Sequence, residues 1–66
     1  MKIIVNGDSR SVADRLTLAQ LVEELHLVPG RLASEVNGQI VRRAEYANTR
    51  LADGDTVEIV QMIGGG

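Results

Sequence analysis

One short segment constrains the fold of this chain more than any other. Leu18, Leu21, Val22 and Leu25 fall at i, i+3, i+4 and i+7, which places four apolar side chains on one face of a helix. Its start is written in the residues around it. Thr17-Leu18-Ala19-Gln20 is a capping box, in which the Thr17 hydroxyl accepts from the Gln20 backbone N–H and the Gln20 side chain reaches back to the Thr17 N–H. Leu16 and Leu21 have the spacing of a hydrophobic staple. Pro29-Gly30 is expected to close the segment, because proline cannot continue a helix and glycine takes the left-handed turn after it. A single helix with a single apolar stripe cannot bury that stripe alone. It needs one face of a sheet to cover it.

The rest of the chain supplies strands. Lys2 to Asn6 is short and β-branched, and Asn6-Gly7-Asp8 turns it into a second strand from about Ser9 to Val12. A second Asn-Gly step, Asn37-Gly38, joins strands at about Leu32 to Val36 and Gln39 to Arg42. A two-residue loop there pairs Val36 with Gln39, Glu35 with Ile40 and Ser34 with Val41. Val36 and Val41 then share one face, and Glu35 and Ile40 the other. Arg43 to Arg50 has no sustained period and reads as a short helical turn plus loop. Asp53-Gly54-Asp55 is a third tight turn. It leads into a last strand, Thr56 to Ile63, with Val57, Ile59 and Ile63 on one face and Glu58, Val60 and Met62 on the other. The order ββ, helix, ββ, turn, β describes an α+β, β-grasp-like fold: a mixed sheet of about five strands packed on one helix.

Composition bounds what such a fold can do. Sixty-six residues make one small domain, residues 1–63 with a tail at 64–66, and leave room for one thin core rather than a deep catalytic cleft. A free-standing enzyme is not expected. A net charge of −2 and a single aromatic residue, Tyr46, provide neither the basic footprint nor the stacking platforms of a nucleic-acid binder. The absence of cysteine removes disulfides, thiolate zinc sites and a nucleophilic thiol, and makes the cytosol, the cytoplasmic compartment, the expected location. The apolar run Ile3-Ile4-Val5 is too short for a signal segment or a membrane span, so no membrane partner is expected.

Few residues invite chemistry. His26, the only histidine, reads as a solvated helix-end residue that favours the negative end of the helix dipole. Asp53 and Asp55 lack the further oxygen ligands of a calcium loop, so they read as a turn and no metal is expected. Arg42-Arg43 reads either as a solvated strand end or as a meeting point for an acidic partner. Gly64-Gly65-Gly66 differs from all of these. Three glycines have no side chain to pack and cost much backbone entropy to order. They suit a frayed end, or a thin arm that carries the Gly66 carboxylate roughly 10 Å beyond the last strand into a partner's active site.

Three segments together resemble a known family. Val36-Asn37-Gly38-Gln39-Ile40-Val41 with Arg43 two positions on, Leu51-Ala52-Asp53-Gly54-Asp55-Thr56-Val57-Glu58-Ile59, and the glycine terminus after Met62-Ile63 are similar to the ubiquitin-like sulfur carriers. Within these the resemblance is to the thiamine-biosynthesis family, ThiS, and it covers the whole length. The family often has proline where this chain has Arg42 and tryptophan where it has Tyr46.

The resemblance implies a β-grasp carrier whose Gly66 carboxylate attacks the α-phosphate of ATP on an adenylating enzyme of the ubiquitin-activating kind (ThiF-type). A persulfide sulfur donor then converts the acyl-adenylate to a thiocarboxylate, and thiazole synthase (ThiG-type) receives the sulfur. Gly64 and Gly65 would be the access arm, ATP would be bound by the partner, and the carrier itself would hold no cofactor. A molybdopterin-synthase small subunit, another ubiquitin-like sulfur carrier, a protein modifier and an inert-tailed interaction module are the alternatives. Docking on two enzymes calls for an exposed apolar face, and strand alternation offers Ile4, Ile40, Val60 and Met62. Ile3, Val5, Val36, Val41, Val57 and Ile59 would face the helix.

Overall fold

The computed structural model describes residues 1–62. The strands are β1 (Lys2–Val5), β2 (Asp8–Ser11), β3 (Leu32–Val36), β4 (Gln39–Val41) and β5 (Thr56–Gln61), and the helix α1 is Leu18–Glu24. Two 3-10 turns, Pro29–Arg31 and Arg43–Asn48, complete the elements. The second of these is the short helical turn that Arg43 to Arg50 predicts. The strands form one sheet in the order β2-β1-β5-β3-β4. β1 and β5 run parallel, and the other pairs are antiparallel. This is the expected mixed five-stranded sheet on one helix.

Strand ends differ from expectation by a residue or two. The first strand stops at Val5 and the fourth at Val41, while the second begins at Asp8 and ends at Ser11. The last ladder ends at Gln61, and its expected final residue, Ile63, lies outside the described residues. Both Asn-Gly pairs have positive φ at both positions, Asn6 49° and Gly7 86°, Asn37 52° and Gly38 82°, as a two-residue type I′ hairpin loop requires. The β3–β4 register is the predicted one, Ser34 with Val41, Glu35 with Ile40 and Val36 with Gln39.

The asparagine side chains do more than permit these turns. Asn6 carries the β1–β5 pairing one step further, since its Oδ1 accepts from Ile59 N at 2.8 Å and its Nδ2 donates to Ile59 O at 3.1 Å. Asn37 joins the β3–β4 turn to the turn before β5. Its Oδ1 accepts from Thr56 N and its Nδ2 donates to Asp55 Oδ1, both at 2.9 Å. Asp55 Oδ2 closes its own turn by accepting from Ala52 N at 2.7 Å, and Asp53 Oδ1 accepts from Lys2 N at 2.8 Å. Both aspartates thus act as turn ligands to backbone N–H groups.

At the helix start the capping box is present in both directions, with Gln20 N donating to Thr17 Oγ1 at 3.1 Å and Thr17 N donating to Gln20 Oε1 at 2.9 Å. The two staple residues, Leu16 and Leu21, are buried in the same cluster. The helix end corrects the expectation placed on Pro29-Gly30. The chain leaves the helix at Leu25, and His26 takes the left-handed turn at φ 57°. His26 N donates to Glu23 O at 3.0 Å and Leu27 N to Val22 O at 3.2 Å, which is the Schellman pattern. The physical reason is Leu27. Reversing the chain at His26 brings Leu27 back over Val22, where both line one apolar groove, whereas a longer helix would carry it away from the core.

The core lies between the sheet's inner face and α1. Ile3, Val57, Leu18 and Leu21 are fully buried, with Val5, Ile59 and Val22 beside them. Val36 and Val41 are half-buried on that same face, at the margin of the cluster. Burying one such side chain contributes about 1.5–3 kcal/mol, so these few contacts supply most of what a domain this size can gather. Tyr46, from the second 3-10 turn, closes one end of the core, and its hydroxyl donates to Ser34 Oγ at 2.8 Å. Ser34 is the one buried polar side chain among the described residues.

Candidate docking face and reactive tail

The sheet has a second face, and the helix does not cover it. Alternation along β5 turns Val57 and Ile59 inward and Glu58 and Val60 outward. Met62, which follows β5, is also exposed, and its N–H donates to Arg31 O at 2.7 Å, so the residue before β3 holds the chain one step past the end of β5. On β3, Ala33 and Glu35 point outward, and on β4 so does Ile40. The fixed register turns these into rows across the sheet: Ile4 beside Thr56, Glu58 beside Glu35 and Ile40, Val60 beside Ala33, and finally Met62 beside Arg31.

All four apolar residues assigned to this face from alternation are exposed, from Ile4 at 39% to Ile40 at 78%. They fall in four different rows. Val60 and Met62 are neighbours on one strand, immediately before the tail. Ile40 is separated from β5 by Glu35, and Ile4 lies across the sheet on β1. Val28 is a fifth exposed large apolar residue. It sits between the helix end and the first 3-10 turn, where no period assigns a residue to a face, so alternation had no means of finding it.

Gly64, Gly65 and Gly66, the arm and reactive terminus expected from the sequence, lie outside the described residues. The last described residue, Met62, lies at the edge of the outer face, beside Arg31. His26 is exposed, with its backbone used for the helix end. Arg42 and Arg43 are exposed at the end of β4, and neither is in an ion pair among the described residues, where the one salt bridge joins the Met1 ammonium to Asp14. No group of three His, Cys, Asp or Glu among the described residues could hold a metal ion. No helix among them is long and apolar enough to cross a membrane. An apolar groove lies on the helix side, between Val22, Leu27 and Tyr46, with Glu23 and Arg43 as the charged residues of its lining.

The sequence profile of the ThiS family matches residues 3–66, nearly the whole chain, including Gly64-Gly65-Gly66. The chain belongs to the ThiS family. The sulfur carrier protein ThiS of Escherichia coli (strain K12) is 33% identical over 66 residues, which cover the whole of both chains. The crystal structure of a thiamine biosynthesis protein, ThiS, from Geobacter metallireducens superposes with a TM-score of 0.86 at 32% identity, again over the whole of both chains. A thiazole synthase of Paramagnetospirillum magneticum is 39% identical over 66 residues, and this chain spans only 20% of its length. The ThiS-family β-grasp fold is therefore established for this chain, and the expected resemblance is confirmed.

Proposed function

We propose that this ThiS-family chain is a sulfur carrier for thiazole formation in thiamine biosynthesis, a protein cosubstrate rather than a catalyst. The observation that carries this reading is the end-to-end similarity to the Escherichia coli sulfur carrier, together with a profile match that runs through Gly66. The fold supports it physically. The last strand ends at Gln61, Met62 is still bonded to Arg31, and beyond it Ile63 and three glycines offer a carboxylate on an arm thin enough for a narrow active site.

The chemistry follows from that carboxylate, which is ionised at neutral pH. A carboxylate oxygen of Gly66 attacks the α-phosphate of ATP on an adenylating enzyme of the ThiF type, forming the acyl-adenylate and releasing pyrophosphate. A persulfide sulfur from a donor protein attacks the acyl carbon and expels AMP. A thiol then cleaves the sulfur–sulfur bond, leaving a disulfide on the donor side and a thiocarboxylate on Gly66. The missing Cβ atoms of Gly65 and Gly66 keep the acyl carbon open to these attacks. Thiazole synthase of the ThiG type takes the sulfur. The similarity of the whole chain to one fifth of a thiazole synthase supports that pairing. ATP is held by the partner, the carrier binds no cofactor, and the cycle runs in the cytosol. Val60 and Met62, with Ile40 and Ile4 at the flanks, form the docking face.

The test is the intact and fragment mass of the chain after incubation with its adenylating enzyme, ATP and a persulfide donor. A sulfur localised to Gly66, and absent without ATP, is expected. Fragmentation separates it from oxidation of Met1 or Met62, which changes the intact mass almost equally. No conversion under conditions that convert the Escherichia coli carrier overturns the reading.

A further inference from the structure

The outer face contains a pairing that the isolated fold does not explain. Glu35 and Glu58 are directly opposite each other on neighbouring central strands, both exposed, with Ile40 next to Glu35 in the same row. Like charges in that arrangement cost a sheet some stability, and among the described residues no cation forms an ion pair with either. A neutral or basic residue at either position would suit the free domain better. The next two rows reverse the sign: Arg42 follows β4 beside the Ala33–Val60 row, and Arg31 lies beside Met62. From mid-sheet to tail the face thus runs from carboxylates through exposed Val60 and Met62 to guanidiniums.

Resting on the carrier reading above, we infer that the Glu35–Glu58 pair receives a cationic side chain of the adenylating enzyme, with Ile40 and Val60 as its apolar surround. The position of the arm selects this occupant. Four residues follow Met62, so the enzyme's reacting centre lies within about 14 Å of it. Glu58 is four residues back on the same face, about 13 Å from Met62. A standard interface covers about 800 Å² on each partner, a patch wide enough to include both the arm's root and the glutamate row. Two carboxylates side by side suit an arginine, whose planar fork can bridge both oxygen pairs. The reversal of sign toward the tail fixes which way round the enzyme docks, and the attraction speeds encounter.

The experiment measures ATP–pyrophosphate exchange by the cognate adenylating enzyme as a function of carrier concentration, at low and high salt. It compares the wild type, the double variant Glu35→Gln/Glu58→Gln and the control Glu23→Gln on the helix. The double variant is expected to need about tenfold more carrier for half-saturation at low salt, with kcat unchanged and a flatter salt dependence. Its Tm should equal or exceed that of the wild type, and the control should match the wild type throughout. Half-saturation within twofold of wild type with the same salt dependence overturns the inference, and so does a fall in Tm, which would make the pair structural. Either result leaves the carrier reading intact if the wild type supports exchange. A wild type that supports none overturns the carrier reading, and this inference with it.

Discussion

Replacing Tyr46 with phenylalanine removes one oxygen from the closed end of the core. Tyr46 is 4% exposed and Ser34 1%, and the 2.8 Å hydrogen bond between their hydroxyls is the only side-chain bond either makes among the described residues. In Tyr46→Phe the Ser34 hydroxyl stays buried without that partner, which costs about 1–3 kcal/mol. Ser34→Ala strands the tyrosine hydroxyl in the same way and should cost about as much. The double variant removes both groups together and leaves no orphan, so its loss should fall about 1–2 kcal/mol short of the sum of the singles. For a domain of this size 1 kcal/mol moves Tm by roughly 4–8 °C, so each single change should be plain in a melting curve. Urea unfolding of all four proteins, with m unchanged, completes the cycle. Losses that simply add, or a silent Tyr46→Phe, would refute the idea that this pair is coupled by burial. Because Tyr46 lies on the helix side, the proposed conversion of Gly66 should be unaffected below the melting range.

Three further outcomes are expected. His26→Gly should stabilise the domain by about 0.5–1 kcal/mol, because His26 holds a left-handed φ of 57° that glycine adopts without steric cost; a lower Tm would show that the histidine side chain supports the helix end. Asn6→Asp keeps the acceptor toward Ile59 N but loses the donor toward Ile59 O, and should cost about 1 kcal/mol in chemical denaturation. Equal stability would mean that solvent replaces that donor. Val60→Asp places a charge on the exposed face of a central strand and should cost no more than about 1 kcal/mol, a fall in Tm of at most about 4–8 °C that leaves the domain folded. It should also weaken binding to the adenylating enzyme at least tenfold in calorimetry, and unchanged affinity would remove Val60 from the docking face.

Much of this molecule is legible without coordinates, wherever the cause is local. The Thr17–Gln20 capping box, the type I′ turns at Asn6-Gly7 and Asn37-Gly38, and the β3–β4 register all depend on residues within a few positions of each other. Alternation then sorts Val57 and Ile59 from Glu58 and Val60, because successive strand side chains must point to opposite faces.

The candidate site is only half legible in this way. That Ile4, Ile40, Val60 and Met62 are exposed follows from alternation, but that they fall in four rows with Glu35 and Glu58 between them does not. Their spacing depends on which strands become neighbours. β1 and β5 come from opposite ends of the chain, and no short-range signal sets their parallel pairing.

The same holds for the helix end and for the bonds of Asn6 and Tyr46. Pro29-Gly30 is the stronger local stop signal, yet Leu27 reaches the core only if the chain reverses three residues earlier, at His26. Sequence by itself thus determined the elements and their faces. Tertiary structure decided the strand order, the partners of Asn6, Asn37 and Tyr46, and the facing of Glu35 with Glu58. Local geometry is set by neighbouring residues in the chain, whereas these contacts form only once the whole core has closed and fixed which distant residues stand side by side.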